Sequence, residues 1–301
     1  MENRDIWVYN KGRYEREQIP AEKLMRLIYE NPMGRATLPF LIKRKVLSRL
    51  YGIYCRSTLS KGQISRFIND YQIDMTGCVG TYRNFSEFFS RERKNVVFPE
   101  ESALLGSPCE GLVSAYTDIV PEKLIAAKGS YFSLSELFGD KILAEEYRGG
   151  AMLSIRLTPA NYHRMHFFDN GKVTETRFLN GDLFSVNPLA IRQIARLYCR
   201  NKRAMILFSS QNFKNVVIVE VGATFVGSIM HCFKEGDLTQ RGQQASYFLP
   251  GGSLVLIFFQ KGTFVPKEIL VTQTKKNYET KISLGDVLGS ADVFQKSPGR
   301  S

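Results

Sequence analysis

The sequence predicts an α+β fold in which a β-rich mixed domain follows an N-terminal amphipathic helical region. The chain has 301 residues, of which 44% are hydrophobic, so it can bury a substantial core. Its apolar residues follow a helical period between Pro20 and about Tyr71. Beyond about residue 100 they gather in short runs separated by glycines, which is typical of strands. We therefore expect two regions, 1–75 and 76–301.

The clearest helical pattern lies at Arg35–Arg56, after a polar start at residues 1–20 that is expected to be irregular. One face carries apolar side chains such as Ile42, Val46 and Leu50, and the opposite face is basic. Two interpretations stay open. The helix packs on the core and exposes a solvated basic face, or it lies on the surface of an anionic membrane.

The second region contains six runs of strand-like composition. They are Leu112-Val113, Ala151–Leu157, Val216–Val221, Ala223–Ile229, Ser253–Phe259 and Glu268–Thr272. A helix is predicted at Leu189–Arg200, and the polar tail after Gly285 is expected to be loose.

Charge and cysteine content narrow the class of protein. Forty-one Lys and Arg against 29 Asp and Glu give a net charge of +12, which indicates nucleic acid, anionic lipid or an acidic substrate as partner. The five cysteines have no CxxC spacing, so neither a disulfide framework nor a zinc finger is predicted. The sequence shows neither a signal peptide nor an apolar run of the roughly 20 residues that a spanning helix needs. Any membrane contact is therefore expected to be peripheral.

Gly251-Gly252-Ser253, directly before the apolar run Leu254–Phe259, is the pattern with the most chemical content. With a nearby base, a serine hydroxyl attacks the carbonyl of the preceding residue and converts that peptide into an ester. Glycines permit the strained turn that this attack requires. If β-elimination then removes the acyl part, the serine becomes dehydroalanine, which hydrolyses to a pyruvoyl group. Taken alone, such a tripeptide more often marks a turn before a buried strand.

Two of the three histidines lie close together in Thr158-Pro-Ala-Asn-Tyr-His163-Arg-Met-His166. Thr158 and Pro159 suit the start of a helical turn, which predicts His163 and His166 on one helix face. Two imidazoles at this spacing suit proton transfer near neutral pH. They are therefore candidates for the base that the serine would need.

Metal binding and the absence of any role are alternatives for these histidines. A metal site would need further ligands such as Glu110, Cys109 or His231-Cys232, but no HExxH or CxxC motif is present. Glu110 lies in a turn before a predicted strand, where a carboxylate is usually just solvated. Its other role would be to orient a histidine and stabilise the charged imidazole, as in a catalytic triad.

The same residues fall within seven blocks that resemble the phosphatidylserine decarboxylase family, in the same order, over about residues 38–272. The blocks are Asn84–Arg91, Ser107–Gly111, Ala127–Leu134, Thr158–His166, Gly181–Asn187, Val221–Ile229 and Gly252-Ser253. Any single block would be a weak signal, whereas seven in one order are specific.

The resemblance implies a pyruvoyl-dependent lyase of phospholipid biosynthesis, made as a proenzyme that cleaves itself into a β chain, 1–252, and an α chain, 253–301. By this resemblance Ser253 is the cleavage nucleophile and then the covalent pyruvoyl cofactor, which forms a Schiff base with phosphatidylserine and yields phosphatidylethanolamine. His166 would activate Ser253, and Glu110 would orient His166. His163 would serve decarboxylation as a proton donor, and no metal is implied.

Three positions depart from the family pattern. Glu110 replaces aspartate, Gly251 replaces the commoner leucine, and Leu254 replaces threonine or serine. The tripeptide Leu288-Gly289-Ser290 matches the family better than Gly251-Gly252-Ser253. Cleavage there would nevertheless leave only a polar tail with no apolar strand, so Gly252-Ser253 is the predicted cleavage site.

The rival interpretation is a non-catalytic module with the family fold that fails to mature and binds anionic lipid through its charge. A nucleic-acid binder is disfavoured because the basic residues cluster on an apolar helix. Ser253, His163 and His166 together favour the enzyme. Because the sequence shows no signal or transit peptide, we expect a peripheral protein on the cytoplasmic face of a bacterial-type inner membrane. The expected partners are phosphatidylserine and the protein's own α and β chains, and a homo-oligomer stays open.

Overall fold

The computed structural model describes residues 6–19, 22–31, 33–34, 45–127, 130–222 and 229–292. The helices are α1 Glu22–Glu30, α2 Lys45–Arg56, α3 Gln63–Tyr71, α4 Phe85–Phe89, α5 Leu134–Phe138, α6 Lys141–Glu145, α7 Pro188–Gln193, α8 Leu197–Arg200 and α9 Glu268–Lys275, with a 3-10 turn at Thr58–Gly62. The strands are β1 Trp7–Asn10, β2 Arg13–Arg16, β3 Leu104–Gly106, β4 Gly111–Tyr116, β5 Leu124–Ala127, β6 Ser130–Phe132, β7 Ala151–Leu157, β8 Arg164–His166, β9 Gly171–Leu179, β10 Arg203–Ser210, β11 Lys214–Gly222, β12 Ile229–His231, β13 Leu238–Thr239, β14 Gln244–Phe248, β15 Ser253–Phe259, β16 Phe264–Pro266, β17 Glu279–Ile282 and β18 Val287–Ala291.

A ten-stranded sheet forms the centre of the fold, in the order β13-β9-β10-β11-β15-β7-β4-β17-β1-β2. Its neighbouring strands are antiparallel, except that β1 and β17 are parallel. Smaller sheets have the orders β12-β14-β8, β16-β18-β3 and β5-β6. Helices and a dominant mixed sheet confirm the predicted α+β class.

Strand β15 lies between β11 and β7 and is buried along its whole length. Because side chains alternate across a strand, Leu254 and Leu256 enter the core on one face of the sheet. Val255 and Ile257 enter the core on the opposite face. The continuous apolar run thus reflects a strand that is covered on both faces, and its predicted bounds are confirmed.

The N-terminal residues add two strands to this sheet, where the sequence predicted irregular structure. β1 and β2 form a hairpin whose first strand pairs with β17. Just after the hairpin, Glu17 holds the buried guanidinium of Arg156 through two bonds of 2.8 Å, and Glu279 contacts the same guanidinium. These two carboxylates lie near opposite ends of the chain, so the network fastens the N-terminus to the sheet. The boundary near residue 75 stays a proposal.

The segment from α2 to α4 packs around a small separate core that includes Cys55, Ile64 and Phe88. Helix α2 confirms the helix predicted for residues 45–56, whereas predicted residues 35–44 lie outside the described part. Leu50 and Ile53 of α2 are exposed. In the described ranges, no helix has the length and apolar character needed to cross a membrane.

Two predicted elements have the wrong type. The segment Thr158–His166 is not helical: an irregular turn leads into β8. Glu268–Thr272 lies in helix α9 rather than in a strand, with Leu270 turned into the core. β-Branched residues make this segment resemble a strand, but packing against the sheet decides its conformation.

Three other predictions need correction or completion. The helix predicted at Leu189–Arg200 is two short helices, interrupted near Arg196, whose φ is 54°. The tail after Gly285 is not loose as far as residue 292, because β18 pairs with β16 and β3. Of the strand predicted at Ala223–Ile229 only its last residue is described, and this residue begins β12.

Candidate active site

Ser253 is the first residue of β15, in the middle of the large sheet. Its backbone pairs with Gly222 of β11 and with Leu157 of β7. Ser253 is 1% exposed, and its hydroxyl has no hydrogen-bond partner. Gly251 has a φ of +155°, a conformation that other residues rarely adopt. The Gly252-Ser253 peptide therefore joins a glycine-dependent turn to a rigid strand and carries a free buried hydroxyl.

The segment with the two histidines starts at the same end of the sheet. Strand β7 ends at Leu157, the partner of Ser253, and residues 158–163 turn from there into β8. The His166 amide donates to the Pro108 carbonyl at 2.8 Å, and the Phe248 amide donates to the His163 carbonyl at 2.9 Å. Backbone bonds thus fix the histidine segment beside the Ser107–Glu110 turn.

His166 is buried, and both of its ring nitrogens have a hydrogen-bond partner. Nδ1 lies 2.8 Å from the Gly242 carbonyl oxygen and Nε2 lies 3.1 Å from the Tyr162 hydroxyl. Since a carbonyl oxygen only accepts, Nδ1 carries the proton and Nε2 is the basic nitrogen. Burial lowers the pKa of His166 despite the bond to Gly242. The ring is therefore a neutral base at neutral pH.

His163 is completely buried and stacks on Phe89, with ring centroids 3.8 Å apart. Its Nε2 lies 3.0 Å from the Thr158 carbonyl oxygen and therefore donates, which leaves Nδ1 as a lone pair without a partner. Burial, reinforced by the charge of Arg91, lowers the pKa of His163 to about 3. His163 thus presents a free basic nitrogen, which must gain a proton before it can donate one.

Glu110 contacts the turn that carries His163 rather than a histidine ring. One carboxylate oxygen accepts from Arg93 at 3.0 Å and the other accepts from the Asn161 amide at 2.9 Å. Asn161 in turn accepts from the Thr158 amide and hydroxyl at 2.7 and 2.8 Å. The Thr158 carbonyl accepts from His163 Nε2, so Asn161 and Thr158 connect Glu110 to that histidine through hydrogen bonds.

The predicted triad is not connected by hydrogen bonds in this structure. Among the described contacts, none joins Ser253 to His166 or His163, and none joins Glu110 to His166. The Gly242 carbonyl takes the place on Nδ1 of His166 that a triad acid would occupy. The four residues lie on connected segments, and their individual roles stay predictions.

A buried acid–histidine pair that was not predicted from the sequence lies near the site. Glu220 is fully buried in β11, where its carboxylate lies 2.7 Å from His231 Nε2 and accepts from the Ser246 hydroxyl. It stands two residues before Gly222, the strand partner of Ser253, and so lies on the same face of the sheet as Ser253. A single acidic residue inside the apolar run Val216–Val221 was the available signal.

Arg91 was also missed. It is 1% exposed, and its Nη2 donates to the Ala160 and Asn161 carbonyls at 3.1 and 3.2 Å. Arg164 in β8 donates back to the Arg91 carbonyl at 3.1 Å. The signal was an arginine two residues after the aromatic helix Phe85–Phe89.

The alternative sites considered from the sequence look different in the structure. Within the part of the chain that the structure describes, no group of three or more His, Cys, Asp or Glu could hold a metal ion. Burial raises the pKa of the Cys109 thiol, which keeps it protonated and a poor ligand. Gly289-Ser290 lies within β18, paired with strands on both sides, which corrects its placement in a loose tail.

A glycine-serine peptide at the head of a central strand, with neutral buried histidines on the adjoining segment, is an arrangement suited to enzymes that process their own chain. Residues 84–290 match the family model described as phosphatidylserine decarboxylase. A phosphatidylserine decarboxylase proenzyme from Ruminiclostridium cellulolyticum is 40% identical over 292 residues, which cover 95% of this chain and 97% of that protein. Proenzymes of the same description from Clostridium perfringens and Clostridium botulinum are 38% and 39% identical, covering 95% of this chain and 99% of each protein. The chain belongs to the phosphatidylserine decarboxylase family, as the resemblance predicted.

Proposed function

We propose that this chain is a proenzyme that cleaves itself between Gly252 and Ser253, and that the mature form decarboxylates phosphatidylserine to phosphatidylethanolamine. The observation that carries the proposal is the buried, unpartnered Ser253 hydroxyl that follows a glycine-dependent turn. Family membership and the descriptions of the relatives support the substrate and the proenzyme state. A non-catalytic lipid-binding role has no support in these similarities.

Maturation begins when the Ser253 hydroxyl attacks the Gly252 carbonyl carbon. A C–O bond forms and the Gly252–Ser253 C–N bond breaks, which gives an ester and a free amine at residue 253. His166 Nε2, a neutral base, takes the hydroxyl proton. Loss of the Cα proton then breaks the Cβ–O bond, leaving a carboxylate on Gly252 and dehydroalanine at 253. Hydrolysis releases ammonia and leaves a pyruvoyl group.

The residues present fit a pyruvoyl group at position 253. The position is buried, and the Ser253 side-chain oxygen neither donates nor accepts a hydrogen bond. On the neighbouring turn, the basic Nδ1 of His163 has no partner either. When formed, the group supplies a carbonyl that accepts the electrons left by departing CO2. His163 is held flat against Phe89, with its Nε2 fixed by Thr158. We assign to its free Nδ1 the role of gaining a proton and returning it to the substrate carbon.

The surface of the protein is also compatible with a substrate that lies in a membrane. Leu50, Ile53 and Leu59 are exposed around α2, and the whole chain carries a net charge of +12. Exposed apolar side chains with surrounding positive charge favour an anionic lipid surface. These features support peripheral membrane association. We further propose that the protein acts on the cytoplasmic face of a bacterial-type inner membrane, with its α and β chains held together as a heterodimer.

Purified protein tests this function directly. We expect two fragments on a denaturing gel, and mass spectrometry should show a small fragment that begins at residue 253 with a pyruvoyl group. It should release CO2 from phosphatidylserine vesicles. Ser253→Ala should leave one full-length band, whereas the control Ser290→Ala should cleave normally. Continued cleavage of the Ser253→Ala variant would refute the assignment.

A further inference from the structure

Unpartnered polar atoms are concentrated beside the histidine turn. Among the described residues, nine buried side-chain nitrogen or oxygen atoms lack a hydrogen-bond partner, and six of them belong to five residues of this region. They are Tyr82 OH, Arg91 Nε, Arg91 Nη1, Arg93 Nε, His163 Nδ1 and Ser253 Oγ. Buried polar groups are normally satisfied, so such a concentration indicates a polar group that binds there during function.

Arg91 has two of these unpartnered atoms, more than any other residue of the set. It is a buried cation that satisfies only Nη2, through two backbone carbonyls. No carboxylate hydrogen-bonds to it, because Glu110 is engaged by Arg93 and Asn161. The Cys78 sulfur lies beside the guanidinium but is a weak partner. The Glu110 charge attracts the guanidinium without a hydrogen bond to it. Burying a guanidinium without a directly bonded counter-ion is costly, which favours an anion as the partner of its free donors.

The position of Arg91 connects this cation to the reaction. Arg91 binds the carbonyls of the turn that runs from Leu157, the strand partner of Ser253, to His163. Phe89, two residues earlier, stacks on the His163 ring. Burial raises the pKa of Tyr82, and the nearby charge of Arg91 opposes that rise. Tyr82 is only partly buried, so it lies where a headgroup could enter from solvent.

We propose that Arg91, assisted by the Tyr82 hydroxyl, forms an oxyanion-binding subsite that holds an acidic group of the bound phospholipid headgroup beside His163. This inference rests on the proposed function. The headgroup has two such groups, the phosphodiester and the serine carboxylate, and either suits the forked donors of a guanidinium. A bound oxyanion would also offset the Arg91 charge that opposes protonation of His163. Substrate binding would therefore help His163 to acquire the proton that it later donates.

Steady-state kinetics of the matured Arg91→Gln enzyme on a soluble short-chain phosphatidylserine test the proposal. We expect KM to rise about tenfold or more, with kcat within a few-fold, because a charge-assisted contact to substrate is lost. The matched control is Arg83→Gln, an exposed arginine paired with Glu87, which should keep the parental KM. Inhibition by short-chain phosphatidylethanolamine identifies the group. Its inhibition constant should rise in parallel if Arg91 holds the phosphodiester and stay unchanged if Arg91 holds the carboxylate.

If Arg91→Gln does not mature, two milder variants test whether Arg91 and Tyr82 form the subsite. Arg91→Lys keeps the charge but loses the forked donors, and Tyr82→Phe removes only an unpartnered hydroxyl. We expect each to mature and to raise KM by a few-fold. A parental KM in Arg91→Gln, or in both milder variants, would overturn the subsite. An uncleaved or inactive parental protein would instead overturn the proposed function, so the two failures are distinguishable.

Discussion

The two histidines differ in what their free nitrogens can do. The basic Nε2 of His166 faces the Tyr162 hydroxyl, whereas Nδ1 of His163 faces no partner. Both rings have a lowered pKa because of burial, so both are uncharged near neutral pH. The difference between them is one of position and hydrogen bonding, not of protonation state.

This state predicts the pH dependence of maturation. The reactive form of His166 is deprotonated, and its pKa lies below the ordinary value of 6.5. The rate of self-cleavage, followed on gels from freshly refolded precursor, should be constant from about pH 7 to 8 and fall only below about pH 6.5. His166→Ala should abolish cleavage, and His163→Ala should mature at least partly yet decarboxylate poorly. A rate that still climbs between pH 7 and 8 would contradict this assignment of the base.

A second residue-level prediction concerns Glu110. Its contacts run through Asn161 and Thr158 to His163, so Asn161→Ala should slow maturation or decarboxylation about as much as Glu110→Gln does. If Glu110 instead orients His166 directly, Glu110→Gln should slow cleavage by orders of magnitude and Asn161→Ala should cleave at the parental rate. Single-turnover cleavage rates of the two variants distinguish these roles. Glu136→Gln, a distant and partly exposed substitution, provides a control.

The reactive residue types could be predicted from the sequence, but the hydrogen bonds that connect them could not. Ser253, His163, His166 and Glu110 all stand out by chemistry and motif. The bond from His166 to the Gly242 carbonyl could not be foreseen, because a backbone acceptor from a segment 76 residues away has no side-chain signature. Arg91 was hidden for a related reason, since its burial follows from the packing of distant segments.

At the level of elements, strands buried on both faces were the most predictable. The apolar runs of β7 and β15 are short and directly follow glycines, which favours strands over helices, and the structure buries both strands along their whole length. The turn at residues 158–163 was misread because Thr-Pro favours a helix start. Asn161 instead folds back on Thr158 and closes a turn that leads into a strand. Such local competition between side chain and backbone is decided by tertiary contacts.

The N-terminal hairpin supplies a prediction at this scale. Glu17→Gln should remove one charge from the buried Arg156 network and lower the free energy of unfolding by about 3 kcal/mol. Urea unfolding in the single-chain Ser253→Ala background measures this without fragment dissociation. Glu15→Gln, on the exposed face of β2, should change stability by less than about 0.5 kcal/mol. Equal stability of both variants would mean that the hairpin is not fastened through Arg156.

For the molecule as a whole, the predicted cut falls in an unusual place. The small chain would contain β15 to β18, and β15 lies between β11 and β7 of the large chain. β17 likewise lies between β1 and β4. Cleavage at Gly252-Ser253 would therefore leave two chains interleaved within one sheet, which supports the proposal of a lasting heterodimer. This arrangement could not be predicted from the sequence, because strand order depends on long-range pairing.

The interleaving also means that the precursor and the cleaved protein would differ in how they can fold. Before the cut, β15 is tethered to its neighbours and reaches its place by an intramolecular search. After the cut, the same strand would have to be recaptured from solution, between two strands that have no partner in its absence. If the chain is cut there, we expect the mature molecule to persist because it opens slowly, not because it re-forms readily. On this proposal, the uncleaved precursor can refold after unfolding, whereas the separated α and β chains cannot readily regain the native sheet.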